Sequence, residues 1–289
     1  MNRTSVPTVQ RRLLAIELKR LRERSGMTGD DLARQLGWSP SKVSRVENAR
    51  ISISEDDTGK FLDLFDVSPS RRSRLIKLAA HSPTPTSWRH LEPLAQNFLA
   101  FLEIEALSTS IRQWSHDFVP GILQTEQYAK TLLDSWRLID TNLTARQVEE
   151  RVALRLGRQS ILEPPASTTY RVILDESVLM RKFGSNSVMR GQMAKLIDMS
   201  ARTNIDLFIL PLNSTHGVLE APFVLLNLSG DETPGSSLPY LDSNTADHFV
   251  FDDIWAAQLE REFDILHDSA LSGDEARELI QKHHDGFAS

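Results

Sequence analysis

Not one cysteine occurs among the 289 residues. That excludes disulfides, thiolate nucleophiles and thiolate metal sites. No apolar run approaches the roughly 20 residues that span a bilayer, and the polar, arginine-bearing N-terminus lacks a signal-peptide core. A cytoplasmic location without a membrane partner is expected. The eight histidines, at positions 81, 90, 116, 216, 248, 267, 283 and 284, show neither HExxH nor another ligand spacing. A glycine-rich phosphate loop after a strand is missing, as is a GxSxG nucleophile elbow. The expectation is therefore no metal, no cofactor and no catalytic residue, with His283-His284 solvated on a terminal helix.

What the sequence does have is a lopsided charge. The net charge of −6 divides into +6 over residues 1–82, where 16 Lys+Arg face 10 Asp+Glu, and −12 over residues 83–289. An electropositive head on an acidic body fits a nucleic-acid reader joined to a sensing or partner-binding body. The length allows two domains, and 40% hydrophobic with 7% aromatic content argues for ordered globular ones.

The head is organised around residues 28–48. Leu32, Ala33 and Leu36 give a first short helix one apolar face, Gly37 and Trp38 form a turn, and Val43 and Val46 give a second helix an inward stripe. Gly37 suits the left-handed end of the first helix. Ser39 is placed to cap the second, with Pro40 at its first position. Ser41, Lys42, Ser44, Arg45 and Asn48 point away from the valines, a surface able to enter a major groove; the bland alternative is a helical hairpin with a solvated outer face. Ahead of this pair, residues 10–25 predict a helix with Leu14, Leu18 and Leu21 inward and Arg11, Lys19, Arg20, Arg22 and Arg24 outward, preceded by a flexible arm over 1–9. After it, Ser54 caps a helix bearing Phe61, Leu62 and Phe65. A fifth helix over 68–81 turns Leu75, Ile76 and Leu78 inward and Arg71, Arg72, Arg74 and Lys77 outward.

At these residues the chain resembles the Xre-type helix-turn-helix family, which includes the phage repressor and Cro domains. The resemblance implies an all-α, five-helix, lambda-repressor-like head whose second motif helix lies in the major groove. Where that family reads bases through glutamine, this chain has Pro40 and Ser41, which moves base reading to Ser41, Lys42, Ser44 and Arg45. Thr28, Ser39, Asn48 and Arg50 are the candidate phosphate contacts. Asn48, Ala49 and Arg50 replace the family's Asn-Gly-Arg, so the glycine cap is missing. One such helix reads a half-site, so a homodimer on a pseudo-palindromic double-stranded DNA operator is expected.

Proline, serine and threonine over 82–93 read as a linker between a head at 1–81 and a body at 94–289. In the body, a helical pattern runs from Leu94 to Trp114, a short helix follows Pro120-Gly121, and another spans 144–162 with Arg146, Arg151, Arg155 and Arg158 on its surface. TYRVIL, IDLFILPL, PFVLLNL and HFVF read as strands of a small mixed sheet, with helices over 187–202, 252–267 and from 272 onward. The fold class is α+β and multidomain, the body being mixed α/β with a helical lead-in. Asp175-Glu176 reads as a helix cap rather than a catalytic pair. His216 with Glu220 marks a candidate ligand loop, against a plain surface loop.

WSHDFVPGILQTEQYAKTLL, ERVALRLGRQSIL, VILDESVLMRKFG and the run from Val188 to Leu226 resemble the C-terminal domain of the WhiJ-like regulators of actinobacteria, described as antitoxin-like and otherwise of unknown function. The resemblance implies a transcriptional regulator acting with a small acidic or neutral partner protein encoded nearby. On the sensing reading of the body, a small protein or a small-molecule effector would change operator affinity on binding there. Where that family has Tyr-Leu-Glu-Gly, this chain has Tyr240, Leu241, Asp242 and Ser243. The alternative is a DNA-tethered hydrolase or transferase built on the α+β body, which a pocket of strongly perturbed carboxylates would mark.

Overall fold

The computed structural model describes residues 8–80, 96–164, 168–215, 221–230, 235–241 and 248–287. The chain divides into two compact units, Met1–His90 and Leu91–Ser289. The linker expected at 82–93 and the loop residues His216 and Glu220 lie outside the described residues. So does most of the expected N-terminal arm.

In the first unit, five helices follow one another: α1 (Val9–Arg24), α2 (Gly29–Leu36), α3 (Pro40–Glu47), α4 (Glu55–Leu62) and α5 (Pro69–Ala79). Every one starts on a serine or threonine, since Thr8, Thr28, Ser39, Ser54 and Ser68 each accept a backbone N–H three residues on. Each such cap is worth about 1 kcal/mol. The first two helices end on left-handed glycines, Gly26 at φ 72° and Gly37 at φ 66°. The third ends differently from expectation: Ala49 itself takes the left-handed position, at φ 52°. Arg50 N–H donates to the Arg45 carbonyl at 2.8 Å and Ala49 N–H to the Val46 carbonyl at 2.9 Å. This is the paired closure of a Schellman cap. An alanine in this conformation costs about 1–2 kcal/mol, which burial of its methyl partly offsets. Leu14, Leu18, Leu32, Val43, Val46, Phe61, Leu62, Leu75 and Leu78 form the buried interior.

The second unit is built on a six-stranded mixed sheet. Its elements are α6 (Gln96–Leu107), β1 (Ser110–Ser115), α7 (Glu126–Trp136), α8 (Ala145–Arg158), β2 (Thr169–Asp175), α9 (Glu176–Met180), α10 (Asn186–Ser200), β3 (Ile205–Leu210), β4 (Phe223–Asn227), β5 (Leu238–Leu241), β6 (His248–Phe249), α11 (Asp253–Asp268) and α12 (Gly273–Gly286). Short 3-10 turns stand at Gly121–Leu123 and Gln159–Leu162. Strand order is β3-β2-β1-β4-β5-β6, with β1, β2 and β3 parallel and the rest antiparallel.

Two expectations are corrected here. The helix read as running to Trp114 stops at Leu107, and Ser110–Ser115 is the central strand β1, hydrogen-bonded on both sides. Leu238–Leu241, which carried no strand expectation, is β5.

α11 lies across one face of the sheet. Leu259, Phe263 and Leu266 pack there with Trp114, Ile173, Leu210, Phe223 and Leu225 in one buried cluster. Side chains alternate along a strand, so Val224 faces the other way and its β5 partner Tyr240 lines that opposite face. Phe101 of α6 stacks on Tyr240 at 4.4 Å between ring centroids. At β4 and β5 the sheet is thus covered on one side by α11 and on the other by α6.

Candidate nucleic-acid interface

α3 is a two-turn helix that could not hold its geometry alone, and the head fixes it from below and at both ends. Val43 and Val46 bury its underside. At its C-terminal end, Glu47 receives the Arg22 guanidinium through two bonds, Nε to Oε1 at 2.7 Å and Nη2 to Oε2 at 2.9 Å. Arg22 Nη1 also donates to the Met27 carbonyl at 2.8 Å, so one side chain joins α1, the turn after it and α3. The hydrogen bond to Glu47 raises the Arg22 pKa above its ordinary value despite burial. Arg22 is therefore not the outward cation expected from the sequence; its side chain is 12% exposed and that of Glu47 8%. Arg71 is likewise drawn inward, its Nη2 donating at 2.9 Å to Glu17 on α1.

At the N-terminal end, Lys42 Nζ lies 2.7 Å from Asp57 Oδ2 on α4 and 3.9 Å from the centroid of the Trp38 ring. Lys42 thus holds a side position, paired and stacked. Ser41, Ser44, Arg45 and Asn48 are exposed and share one face by their i, i+3, i+4, i+7 spacing. Arg45 Nε donates to the Ser41 carbonyl at 3.2 Å and Asn48 Nδ2 to the Ser44 carbonyl at 2.7 Å. The Arg45 bond holds the guanidinium stem against the helix while its outer edge faces solvent. Such a planar fork matches guanine O6 and N7.

The phosphate candidates separate on charge. Ser39 caps α3, whose first turn contains no acidic residue, which leaves a helix N-terminus suited to an anion. Thr28 is different. Its hydroxyl donates to Asp31 Oδ2 at 2.6 Å and accepts from Asp31 N at 3.1 Å, and Asp30 stands beside it. The Thr28 hydroxyl, and next the Thr28 N–H that donates to the same Oδ2 at 3.3 Å, hold the Asp31 carboxyl below its ordinary pKa and keep it charged, so α2 begins with negative charge. Arg50 follows the Ala49 cap and is exposed.

Against this geometry the family comparisons are direct. Residues 98–282 match the family model described as Domain of unknown function (DUF5753). The chain belongs to this family. Residues 13–75 match a helix-turn-helix domain model, which makes the head a DNA-binding unit of the regulator type. Searches of curated proteins and of solved structures return no match.

Within the DUF5753 unit, the VPGILQT segment is the centre of a buried polar knot. Gln124 Nε2 donates to the Val119 carbonyl at 2.6 Å, and Gln159 Nε2 and Lys195 Nζ both donate to the Gln124 carbonyl, at 2.8 and 3.1 Å. Gln192 accepts from Thr125 N at 2.8 Å and donates to the Leu123 carbonyl at 2.9 Å. Desolvation lowers the Lys195 pKa. The knot ties the 3-10 turn to α8 and α10, and its partners lie too far apart in sequence for spacing to announce them.

Asp175 caps α9 as expected, accepting Ser177 N at 2.9 Å. Glu176 reaches elsewhere: it accepts Leu212 N at 3.0 Å, and His283 Nε2 lies 3.1 Å from its other oxygen. His283 is thus a packed partner with a side chain 17% exposed, a correction to the solvated terminus expected for it. Burial pushes the Glu176 pKa up, but the Leu212 amide and His283 prevail and hold it below its ordinary value. A carboxylate depressed on folding contributes stability above its unfolded pKa of about 4.3, and that contribution is lost as pH falls through the folded value. The wild-type chain is therefore expected to lose more stability between about pH 5 and pH 3 than Glu176→Gln. Parallel acid-melting curves for the two would contradict this. Among the described residues, no group of three or more His, Asp or Glu is placed to hold a metal ion, and no helix is long and apolar enough to cross a membrane.

Proposed function

We infer that the chain is a WhiJ-like, Xre-type transcriptional regulator that binds a pseudo-palindromic operator as a homodimer in the cytoplasm. In this reading α3 enters the major groove, with Arg45, Ser41 and Ser44 on base edges and Ser39, Asn48 and Arg50 on phosphates. The observation that carries it is the stripe Ser41, Ser44, Arg45 and Asn48, exposed on a helix whose opposite face is buried and whose ends are pinned. The +6 balance of residues 1–82 supplies the long-range attraction to a duplex. Lys42, engaged with Asp57, acts mainly by fixing the angle of α3. The DUF5753 body would modulate operator affinity on binding a small partner protein or an effector. The DNA-tethered hydrolase or transferase has no observation in its favour.

The test is an operator selected from a random duplex pool, followed by binding titrations. Arg45→Ala is expected to weaken the selected operator by about 1–3 kcal/mol and to relax preference at one base pair. Equal affinity of wild type and Arg45→Ala across an operator panel would refute the assignment.

A further inference from the structure

α3 carries three charged side chains, Lys42, Arg45 and Glu47, and two of them are neutralised from neighbouring helices. Glu47 is met by Arg22 of α1. Lys42 is met by Asp57, the third residue of α4, whose Oδ2 accepts the ammonium at 2.7 Å. The Trp38 ring lies against the same ammonium, 3.9 Å from Nζ to its centroid. Lys60 pairs with Asp56 at 2.7 Å, which leaves Asp57 to Lys42. Arg45 differs: among the described residues its guanidinium bonds the Ser41 carbonyl and no carboxylate, so its charge stays uncompensated.

The place of Lys42 makes this pairing consequential. It stands in the first turn of α3, its own N–H bonded to the Ser39 hydroxyl at 3.1 Å, so its charge adds to a helix N-terminus that already suits an anion. A lysine so placed is a ready phosphate contact, and phosphate contacts raise affinity for every duplex alike. Asp57 cancels that contribution. The two side chains are 31% and 26% exposed, so the pair adds little to stability, and removing the carboxylate leaves Lys42 able to turn toward a duplex. We propose that Asp57 is a positioning residue that withholds the Lys42 charge from backbone phosphate and so limits the sequence-independent part of the DNA affinity of the head. Binding then leans on Arg45 and the base edges it reads. The inference rests on the reading in which α3 enters the major groove.

The experiment measures the salt dependence of binding by the full chain, on the selected operator and on a scrambled duplex of equal length. Each phosphate neutralised steepens the fall of log affinity with log salt by about 0.9. Asp57→Asn is expected to bind both duplexes more tightly than wild type at low salt, with an advantage that shrinks about three- to fourfold between 50 and 200 mM salt. Asp57→Ser, which removes the same charge, should behave alike. Lys42→Gln alone should leave both slopes at the wild-type value, and Lys42→Gln with Asp57→Asn should abolish the gain. Weaker binding by Asp57→Asn at an unchanged slope would overturn the proposal and leave Asp57 as a strut between α3 and α4. A gain that survives in the double variant would overturn it too, because the carboxylate itself would then be what repels the duplex. So would a shallower slope in Lys42→Gln alone, which would show the lysine reaching phosphate past Asp57. Arg45→Ala, titrated alongside, separates the two failures. Unchanged base preference in that variant removes the α3 reading as a whole, whereas altered preference beside an unchanged Asp57→Asn slope removes this inference alone.

Discussion

Arg22→Ala is expected to destabilise the helical head by about 3–5 kcal/mol, the range for removing one partner of a buried, bidentate ion pair. The cost arises mainly from what remains: Glu47, with its side chain 8% exposed, would keep a charge that neither water nor the guanidinium neutralises. The Met27 carbonyl would lose its donor as well. Glu47→Gln should cost less, because a neutral amide needs less solvation and still accepts one bond. Replacing both partners, Arg22→Met with Glu47→Leu, should recover most of the loss, since apolar groups of similar shape need no partner. Hydrogen exchange on the full chain reads this directly, through the protection of α1 and α3 amides. A change below about 1 kcal/mol in Arg22→Ala would show that the pair is no more than a surface contact. The DNA phenotype should also differ in kind from that of Arg45→Ala. Loosening α3 weakens every operator alike, whereas removing a base-reading fork weakens one sequence selectively.

This pair also shows where sequence reading stops. The head was legible because its signals are local: Ser39 caps α3, Pro40 follows, Gly37 turns left-handed, and Val43 and Val46 are buried as their spacing requires. Arg22 and Glu47 stand 25 residues apart, and an arginine that faces solvent looks the same in sequence as one that closes a core. Ala49 misled for a related reason. The rule that glycine ends such helices reflects an energy of one or two kcal/mol, small enough for the Arg50 and Ala49 closures and a buried methyl to offset.

In the body, the helical spacing of Phe98, Phe101, Leu102, Ile104 and Leu107 predicts a helix up to Trp114, and Ile111 and Trp114, at i+4 and i+7 from Leu107, do nothing in the sequence to break it. Only pairing with β2 and β4, distant in sequence, makes the same residues a central strand. β5 was hidden by Pro239, which lacks a donor for the ladder but still accepts Val250 N at 2.9 Å. The expected ligand loop at His216 and Glu220 falls outside the described residues. What the body shows instead is a set of internal ion pairs, which carry no motif.

The strongest of those pairs carries the second large expectation. Glu105→Ala should destabilise the body by about 3–5 kcal/mol. Arg158 Nε and Nη2 donate to the two Glu105 oxygens at 2.7 and 2.6 Å, with side chains 11% and 4% exposed. Arg158 is thus internal, not on the outer surface of α8 as its spacing suggested. Its guanidinium also lies 5.2 Å from the Phe101 ring centroid, and Phe101 stacks on Tyr240. The pair therefore couples α6, α8 and β5. Close by, Tyr170 is fully buried and donates to Gln113 Oε1 at 2.7 Å. Burial first, and the Glu105 charge next, push its pKa well above the ordinary value. Without Glu105, the buried guanidinium would keep its charge at every accessible pH, so the variant cannot escape the penalty by losing a proton. Glu105→Leu with Arg158→Met should restore much of the stability, while neither single change should. Urea unfolding of the full chain, followed through exchange of the β1 and β2 amides, measures each step. Glu105→Ala melting with the wild type would mean that Phe101 and Tyr240 hold α6 to the sheet without help from the ion pair. Equal losses in the single and double variants would instead place the stabilisation in the specific geometry of the pair rather than in the avoidance of an unpaired charge.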